Sequence, residues 1–328
     1  MIVPEFWAEG RIQKRFPDRQ ITVRRFGWSD VSQQDAQRHA DERVQEAFNR
    51  IASGERLPRR EQKVRYNGAE GLPIREQIVE RLGDSVVTRN SYGARCLNTP
   101  DVFFADIDFP ESLVDGCAAF LICLVPSIVL AGLVQAKLHS VIAGLVAFAL
   151  LCVVLGWFVG VLHRMSVRLQ GGSDRAVRRR INAFVESNSH WHLRIYRTPN
   201  GFRVMALHAT FDPRSEEVDR AFKALRVDRA YAVMCQKQNC FRARLTAKPW
   251  RIGIQGHLTP RPGVWPISEV RLPARNAWID EYENSAANYA ACHFVAAVGA
   301  VHVVSPAADA VCRYHDRVCR ADEELELA

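Results

Sequence analysis

The stretch 116–162 reads GCAAFLICLVPSIVLAGLV (116–134), QAKLHS (135–140) and VIAGLVAFALLCVVLGWFVGVL (141–162). The two long runs carry no charge, and each is about long enough to cross the hydrocarbon core of a bilayer. Runs this long and uniformly apolar exceed what a buried helix of a soluble domain needs. So short a connection permits only an antiparallel return, which puts both flanks on one side. Basic residues choose that side: Arg164, Arg168, Arg175, Arg178, Arg179 and Arg180 follow the second run, against Lys137 in the connection. The reading is a multi-pass protein of the inner (plasma) membrane with both termini cytoplasmic. Pro126 sits mid-span, where membrane helices tolerate a kink. Gly144, Gly156 and Gly160 offer a small-residue face, with Gly156-x-x-x-Gly160 suited to close helix packing.

Over the whole chain the composition is that of a folded protein, with 48% hydrophobic and 24% charged residues, which excludes a disordered chain. The net charge of +8 is carried largely by arginine and suits an anionic lipid surface or a phosphate-bearing ligand. Nine cysteines, an odd number with three inside the apolar runs, fit reduced thiols rather than a disulfide framework. The start, MIVPEFWAEGRIQKRF, lacks the basic-then-apolar order of a signal peptide.

Local patterns predict mixed structure on both sides of the apolar pair. QITVRRFGW (20–28) alternates as a strand, and a helix capped by Ser29 or Asp30 follows, with Val31, Ala36, Ala40, Val44, Ala47, Phe48 and Ile51 on one face. IREQIVERLG (74–83) reads as a short helix, and two strands around an NSYG turn precede the strand VFFADIDF (102–109). Beyond the apolar pair come a helix through INAFVESNS, a β-hairpin HLRIYRT–PNG–FRVMALHATF and a helix SEEVDRAFKAL capped by Ser215 or Asp212. YAVMCQ and FRARLTA read as strands; NAWIDEYENSAANYAACHFVAAVG and ADAVCRYHDRVCRADEEL read as helices.

The expected fold is α+β, a largely antiparallel sheet with flanking helices, interrupted by a transmembrane α-helical hairpin. The expected organisation is 1–112 as one half of a cytoplasmic domain and 113–165 as the hairpin. Residues 166–253 form the second half, and 254–328 a connector with a helical end. The two halves are expected to build one sheet.

Asp106 and Asp108 lie two apart in a strand, so their carboxylates share a face with Phe104, while Phe103, Ala105, Ile107 and Phe109 take the other. Paired carboxylates at a strand end suit Mg²⁺ or Mn²⁺ and phosphoryl chemistry. Arg242, Arg244, Lys248 and Arg251 in FRARLTAKPWR, with Arg203 near the β-turn, are candidate grips for phosphate. Tyr66, Asn67, Gly68 and Gly71 form a glycine-bearing loop ahead of a helix, read as a plain turn because no Walker signature accompanies it. Cys312, His315 and Cys319 fall on one helix face. Zinc there needs a further ligand such as Cys292, His293 or Asp316, and the spacing follows no finger pattern, so core packing is the simpler reading.

The pair Asp106-x-Asp108, with His208 on a later hairpin, resembles the catalytic core of archaeo-eukaryotic primase-like polymerases, which implies metal at the carboxylates and a nucleotide near His208. The likeness departs from the family at Ala206-Leu207-His208, where Ser-x-His is the pattern, and in lacking a third acidic motif. TVRRFGWSD, YNGAEGLPIRE, TRNSYGARCLNTPDVFFADIDF and CQKQNCFRARLTAKPWR look like segments of uncharacterised bacterial two-span membrane proteins, a likeness that implies the topology and no activity. The functional expectation is a membrane-anchored binding or sensing module; the alternative is a metal-dependent enzyme acting on a nucleotide or phosphate compound. Nucleic acid is the least favoured partner, resting on charge alone.

Overall fold

The apolar face of α1 (Gln33–Ala52) explains the first layer: Ala36, Ala40, Val44, Ala47, Phe48 and Ile51 are all buried. They pack on a long antiparallel ribbon, β1 (Phe6–Arg15) with β2 (Gln20–Ser29), whose Ile21 and Val23 are 1% and 0% exposed. Gly10 and Gly27 let the helix approach this closely. A Cβ built on Gly27 would stand 2.1 Å from the Ala40 nitrogen, and one on Gly10 2.5 Å from the Ala40 carbonyl oxygen. The cap is Ser32, whose Oγ accepts the Asp35 N–H at 3.0 Å. Ser29 instead takes the Val31 N–H in the turn ahead of it, and Val31 is solvent-exposed.

The computed structural model describes residues 1–17, 19–61, 73–109, 117–169, 172–261 and 265–328, and the Tyr66–Gly71 loop falls outside these. The chain divides into two compact units, Met1–Ile107 together with Phe184–Ala328, and Asp108–Ala183.

The first unit is α+β with antiparallel pairing, as the strand patterns predict. It holds two four-stranded sheets rather than the single sheet expected. One runs β3 (Gln77–Leu82), β4 (Ser85–Arg89), β5 (Arg95–Thr99), β9 (Phe241–Arg244). The other runs β11 (His293–Gly299), β7 (His192–Thr198), β8 (Gly201–Ala206), β6 (Phe104–Asp108). Each sheet therefore borrows one edge strand from the far half of the sequence. The borrowed edges meet at Tyr231, whose phenol oxygen lies 3.0 Å from the carbonyl oxygens of both Phe104 and Arg242. Phe103, Trp191, Phe211, Phe222 and Phe241 fill the adjoining core with rings in tilted and edge contacts.

Helices α5 (Glu216–Leu225), α6 (Arg229–Gln238), α7 (Leu272–Ala286) and α8 (Pro306–Cys319) belong to this unit, with a two-residue parallel pair, β10 (Tyr289–Ala290) and β12 (Glu326–Leu327). Ser215 caps α5 through the Val218 N–H.

Three local expectations need correction. IREQIVERLG contains β3 and no helix: spacing at Ile74, Ile78 and Leu82 imitates a helical face, but pairing with β4 takes the segment. YAVMCQ lies in α6, started by Asp228, whose Oδ1 accepts the Tyr231 N–H at 2.8 Å. HFVAAVG is not a continuation of α7 but the edge strand β11, which gives the C-terminal segment strands as well as helices.

The second unit contains α2 (Cys117–Leu138), α3 (Val141–Leu169) and most of α4 (Gly172–Ser187). Helices α2 and α3 pack on one another. The closest approach includes Gly144, where a Cβ would meet Gln135 Cβ at 2.9 Å, with Ala131 buried nearby in the same helix pair. Among the described residues nothing lies within 4 Å of a Cβ built on Gly156, so no close contact marks a glycine seam there. Among the described residues one stretch, Val141–Val159, is long and apolar enough to cross a membrane, with mean hydropathy 2.7 and only 6% buried; the apolar stretch Cys123–Leu138 is shorter.

Candidate metal centre

Helix α8 is amphipathic, and its inward face carries Cys312, His315 and Cys319 at 4%, 0% and 0% exposure. The chain that joins β10 to β11 is stitched to the end of this helix by main-chain bonds. Ala291 N–H reaches Cys319 O at 3.0 Å, and Phe294 N–H reaches Ala321 O at 2.8 Å. That stitch brings Cys292, fully buried, against α8. The sulfurs of Cys292 and Cys319 and a ring nitrogen of His315 lie within 4.8 Å of one another. Three such donor atoms can hold a metal ion. Cys312 turns elsewhere: its sulfur is 3.6 Å from both the Tyr196 hydroxyl and Asp316 Oδ2.

His315 is held from both sides. Nδ1 lies 2.9 Å from Asp316 Oδ1, and Nε2 lies 3.3 Å from Arg203 Nη1 and 4.0 Å from Cys292 Sγ. A neutral ring that donates from Nδ1 and accepts at Nε2 satisfies both neighbours. Asp316 is gripped in turn by Arg194 at 2.7 Å, and the Arg194 Nε donates to the Tyr196 hydroxyl at 2.9 Å. Burial raises the Asp316 carboxyl, but His315, Tyr196 and Arg194 outweigh it and hold the group below the usual carboxylate range. Cys292 is drawn well below the thiol range, chiefly by a hydrogen bond from Cys319 and also by His315 and Arg203, whereas burial pushes Cys319 well above it.

Arg203 links this cluster to the carboxylate singled out from sequence. Its guanidinium clasps Asp106 through Nε–Oδ1 at 2.7 Å and Nη2–Oδ2 at 3.1 Å, while Nη1 donates to the Arg244 carbonyl at 2.8 Å. Arg203 is 2% exposed; the Asp106 side chain keeps 39% of its surface. Burial pushes Asp106 up, and the Arg203 charge more than reverses it, so the carboxyl sits below its ordinary range. Both oxygens of Asp106 thus face an arginine. Asp108 ends β6 exposed, and the division between the two units falls just before it.

No protein-family model, curated protein or solved structure matches this chain.

The other residues expected to form a site are spread over separate environments. Arg242 is 7% exposed and makes a two-pronged pair with Glu76 at 2.9 and 2.7 Å, plus a bond to Asn98 Oδ1 at 3.1 Å. Thr88 completes that network through Glu76 at 2.6 Å, so the Arg242 guanidinium is engaged inside the core. Arg244, two residues on along β9, has a buried Nη1 with no hydrogen-bond partner among the described residues. Lys248 sits 5.5 Å from the Trp250 ring centroid, and Arg251 donates to Asn200 Oδ1 at 2.8 Å. His208 packs among His190, Trp191 and Phe211 and accepts the His192 N–H at 3.2 Å. Burial, with His190 adding to it, lowers its pKa to about 4.

Sequence reasoning placed Cys312, His315 and Cys319 on one helix face, offered Cys292, His293 or Asp316 as a further ligand and preferred core packing; the structure groups Cys292 with His315 and Cys319 and leaves Cys312 out. It named Arg203 as a grip for phosphate and missed its pairing with Asp106, which depends on β8 lying beside β6.

Proposed function

We propose that this chain is a membrane-anchored module, held in the inner membrane by α2 and α3, whose α+β unit binds or senses a ligand on the cytoplasmic side. The observation that carries the reading is the exposure of the helical pair. Val125, Leu133, Ile142, Leu145, Val153 and Trp157 are 59–75% exposed in the chain itself. A core helix of a soluble protein would bury such residues, whereas lipid covers them at no cost in polar groups. Arginines that follow α3 supply the charge bias for a cytoplasmic flank.

The test is to separate membranes from cells expressing the full chain and wash them with alkaline carbonate. Retention of the chain in the washed membrane, with a reporter at His139 reading the outer side and reporters at both termini reading the cytoplasm, supports the proposal. Release by carbonate, or a reporter at His139 reading the cytoplasm, refutes it.

The reading as an enzyme that uses Mg²⁺ or Mn²⁺ at Asp106 and Asp108 gains no support from the Asp106 contacts, since Arg203 already occupies both oxygens. Thermal melts with Mn²⁺ and a nucleotide panel decide it. A shift lost in Asp106→Ala/Asp108→Ala would restore the enzyme reading.

A further inference from the structure

A buried cluster of two thiols and one imidazole has two ordinary explanations besides metal. The first is a nucleophilic cysteine activated by histidine, which needs a substrate to reach the sulfur. Cys292, His315 and Cys319 are each 0% exposed, so that explanation fails on access. The second is plain core packing, in which sulfur behaves as a small apolar group. Cys235 and Cys240 fit that description, lying at 0% exposure with burial pushing both thiols up. The Cys292 group differs because an aspartate and two arginines are built around it.

Tetrahedral zinc, with Zn–S about 2.3 Å and Zn–N about 2.1 Å, places its ligand atoms roughly 3.6–3.8 Å apart. The 4.0 Å from Cys292 Sγ to His315 Nε2, and the 4.8 Å limit across the set, come within about 1 Å of that spacing. Rotamer adjustments can supply the difference without moving the backbone. The imidazole has Nδ1 on a carboxylate, as metal-bound histidines do, and Nε2 lies 4.0 Å from Cys292 Sγ and 3.3 Å from Arg203 Nη1.

The charge balance also permits the ion. Two thiolates balance one divalent ion, the ring stays neutral, and the remaining charges pair off as Arg203 with Asp106 and Arg194 with Asp316. Each of these ions then has a counter-charge, the condition for burying charge at all.

We propose that Cys292, His315 and Cys319 form a binding site for one divalent ion of the zinc class. The sulfur and nitrogen donors select a borderline-soft metal over Mg²⁺ or Mn²⁺, which take oxygen. The proposal goes beyond the membrane reading and does not depend on it. Its role is structural: the ion ties α8 to the strand segment at Cys292, and the enclosed position means that it loads as the chain folds. Arg203 gives up its bond to His315 Nε2 when the metal enters and keeps Asp106 and the Arg244 carbonyl. A small ligand fills the fourth position.

The experiment uses the full chain in detergent, without an affinity tag of histidines, isolated under reducing conditions. Metal content is measured by elemental mass spectrometry; the chain is then stripped with a chelator and titrated with Co²⁺. About one zinc per chain, and a near-ultraviolet thiolate-to-cobalt band saturating at one equivalent, are expected. Cys292→Ser and Cys319→Ser should abolish the band, Cys312→Ser should retain it, and Asp316→Asn should weaken binding about 10–100-fold. The wild-type titration stands even where a variant fails to fold. A metal-free chain with no thiolate band overturns the proposal, as does a band that survives Cys292→Ser/Cys319→Ser.

Discussion

At the scale of single residues, Arg203 shows how a sequence motif changes meaning in its setting. A carboxylate at a strand end reads as a metal ligand until the neighbouring strand supplies a buried guanidinium. Asp106→Asn should then destabilise the fold by about 2 kcal/mol at pH 7, because Arg203 loses its counter-charge and stays buried. The figure lies at the low end because water reaches part of Asp106. The folded pKa of Asp106 is depressed, so its stabilising effect is present above the unfolded value near 3.9 and fades as pH falls through the folded value. Urea melts at pH 7 and in strong acid should therefore show the gap between wild type and variant closing on acidification. Arg275 presents the opposite case. It is 0% exposed on α7, donates from Nε to Gln77 Oε1 at 3.0 Å, lies 5.5 Å from the Trp265 ring centroid, and among the described residues leaves Nη1 and Nη2 without hydrogen-bond partners. Burial and the nearby Arg89 lower its pKa to about 10. Two orphaned donors cost more than one hydrogen bond returns, so Arg275→Met should raise the midpoint of denaturation, by about 1 kcal/mol in stability. A fall of that size would mean that the guanidinium contributes something the contacts do not contain.

At the scale of elements, legibility followed the strength of the local pattern. Helix α1 and the hairpin β7–β8 were readable because an amphipathic period and a Pro-Asn-Gly turn each specify one outcome. Strand β1 and the identity of β3 were not. IREQIVERL carries good helix formers at helical spacing, and only its ladder with β4 decides otherwise. Alanine-rich β11 was misread for a similar reason, since its pairing with β7 lies about a hundred residues away in sequence. Within the candidate site, the stripe on α8 was visible, but the turning of Cys312 to Tyr196 depends on tertiary placement. The ribbon and α1 offer a sharper test of packing. Gly27→Ala forces a methyl into the Ala40 backbone, and overpacking of this sort costs about 1–3 kcal/mol. Its thermal midpoint should fall clearly. Gly156→Ala, at a helical site where no described atom lies within 4 Å of the added methyl, should leave the midpoint unchanged or slightly higher. Equal effects would mean that α1 does not rest on the ribbon as described.

At the scale of the whole molecule, the exchange of strands determines what can fold alone. Residues before the apolar pair provide β3, β4 and β5, yet the sheet is completed by β9, which comes after it. Residues after the pair provide β11, β7 and β8, yet that sheet is completed by β6, which comes before it. Arg242 on β9 reinforces the exchange by neutralising Glu76, and Arg203 on β8 does the same for Asp106. A fragment 1–109 would hold Glu76 and Asp106 without their arginines, and a fragment 172–328 would bury two arginines without their acids. Unpaired buried charge of this kind is strongly destabilising. Neither fragment alone should unfold cooperatively in far-ultraviolet circular dichroism. Two longer pieces, made by cutting instead at the 135–140 connection so that each keeps one apolar helix, should together recover a protease-resistant core. Independent cooperative melting of either fragment would show that the borrowed strands are accessories, and that each half is a domain in its own right.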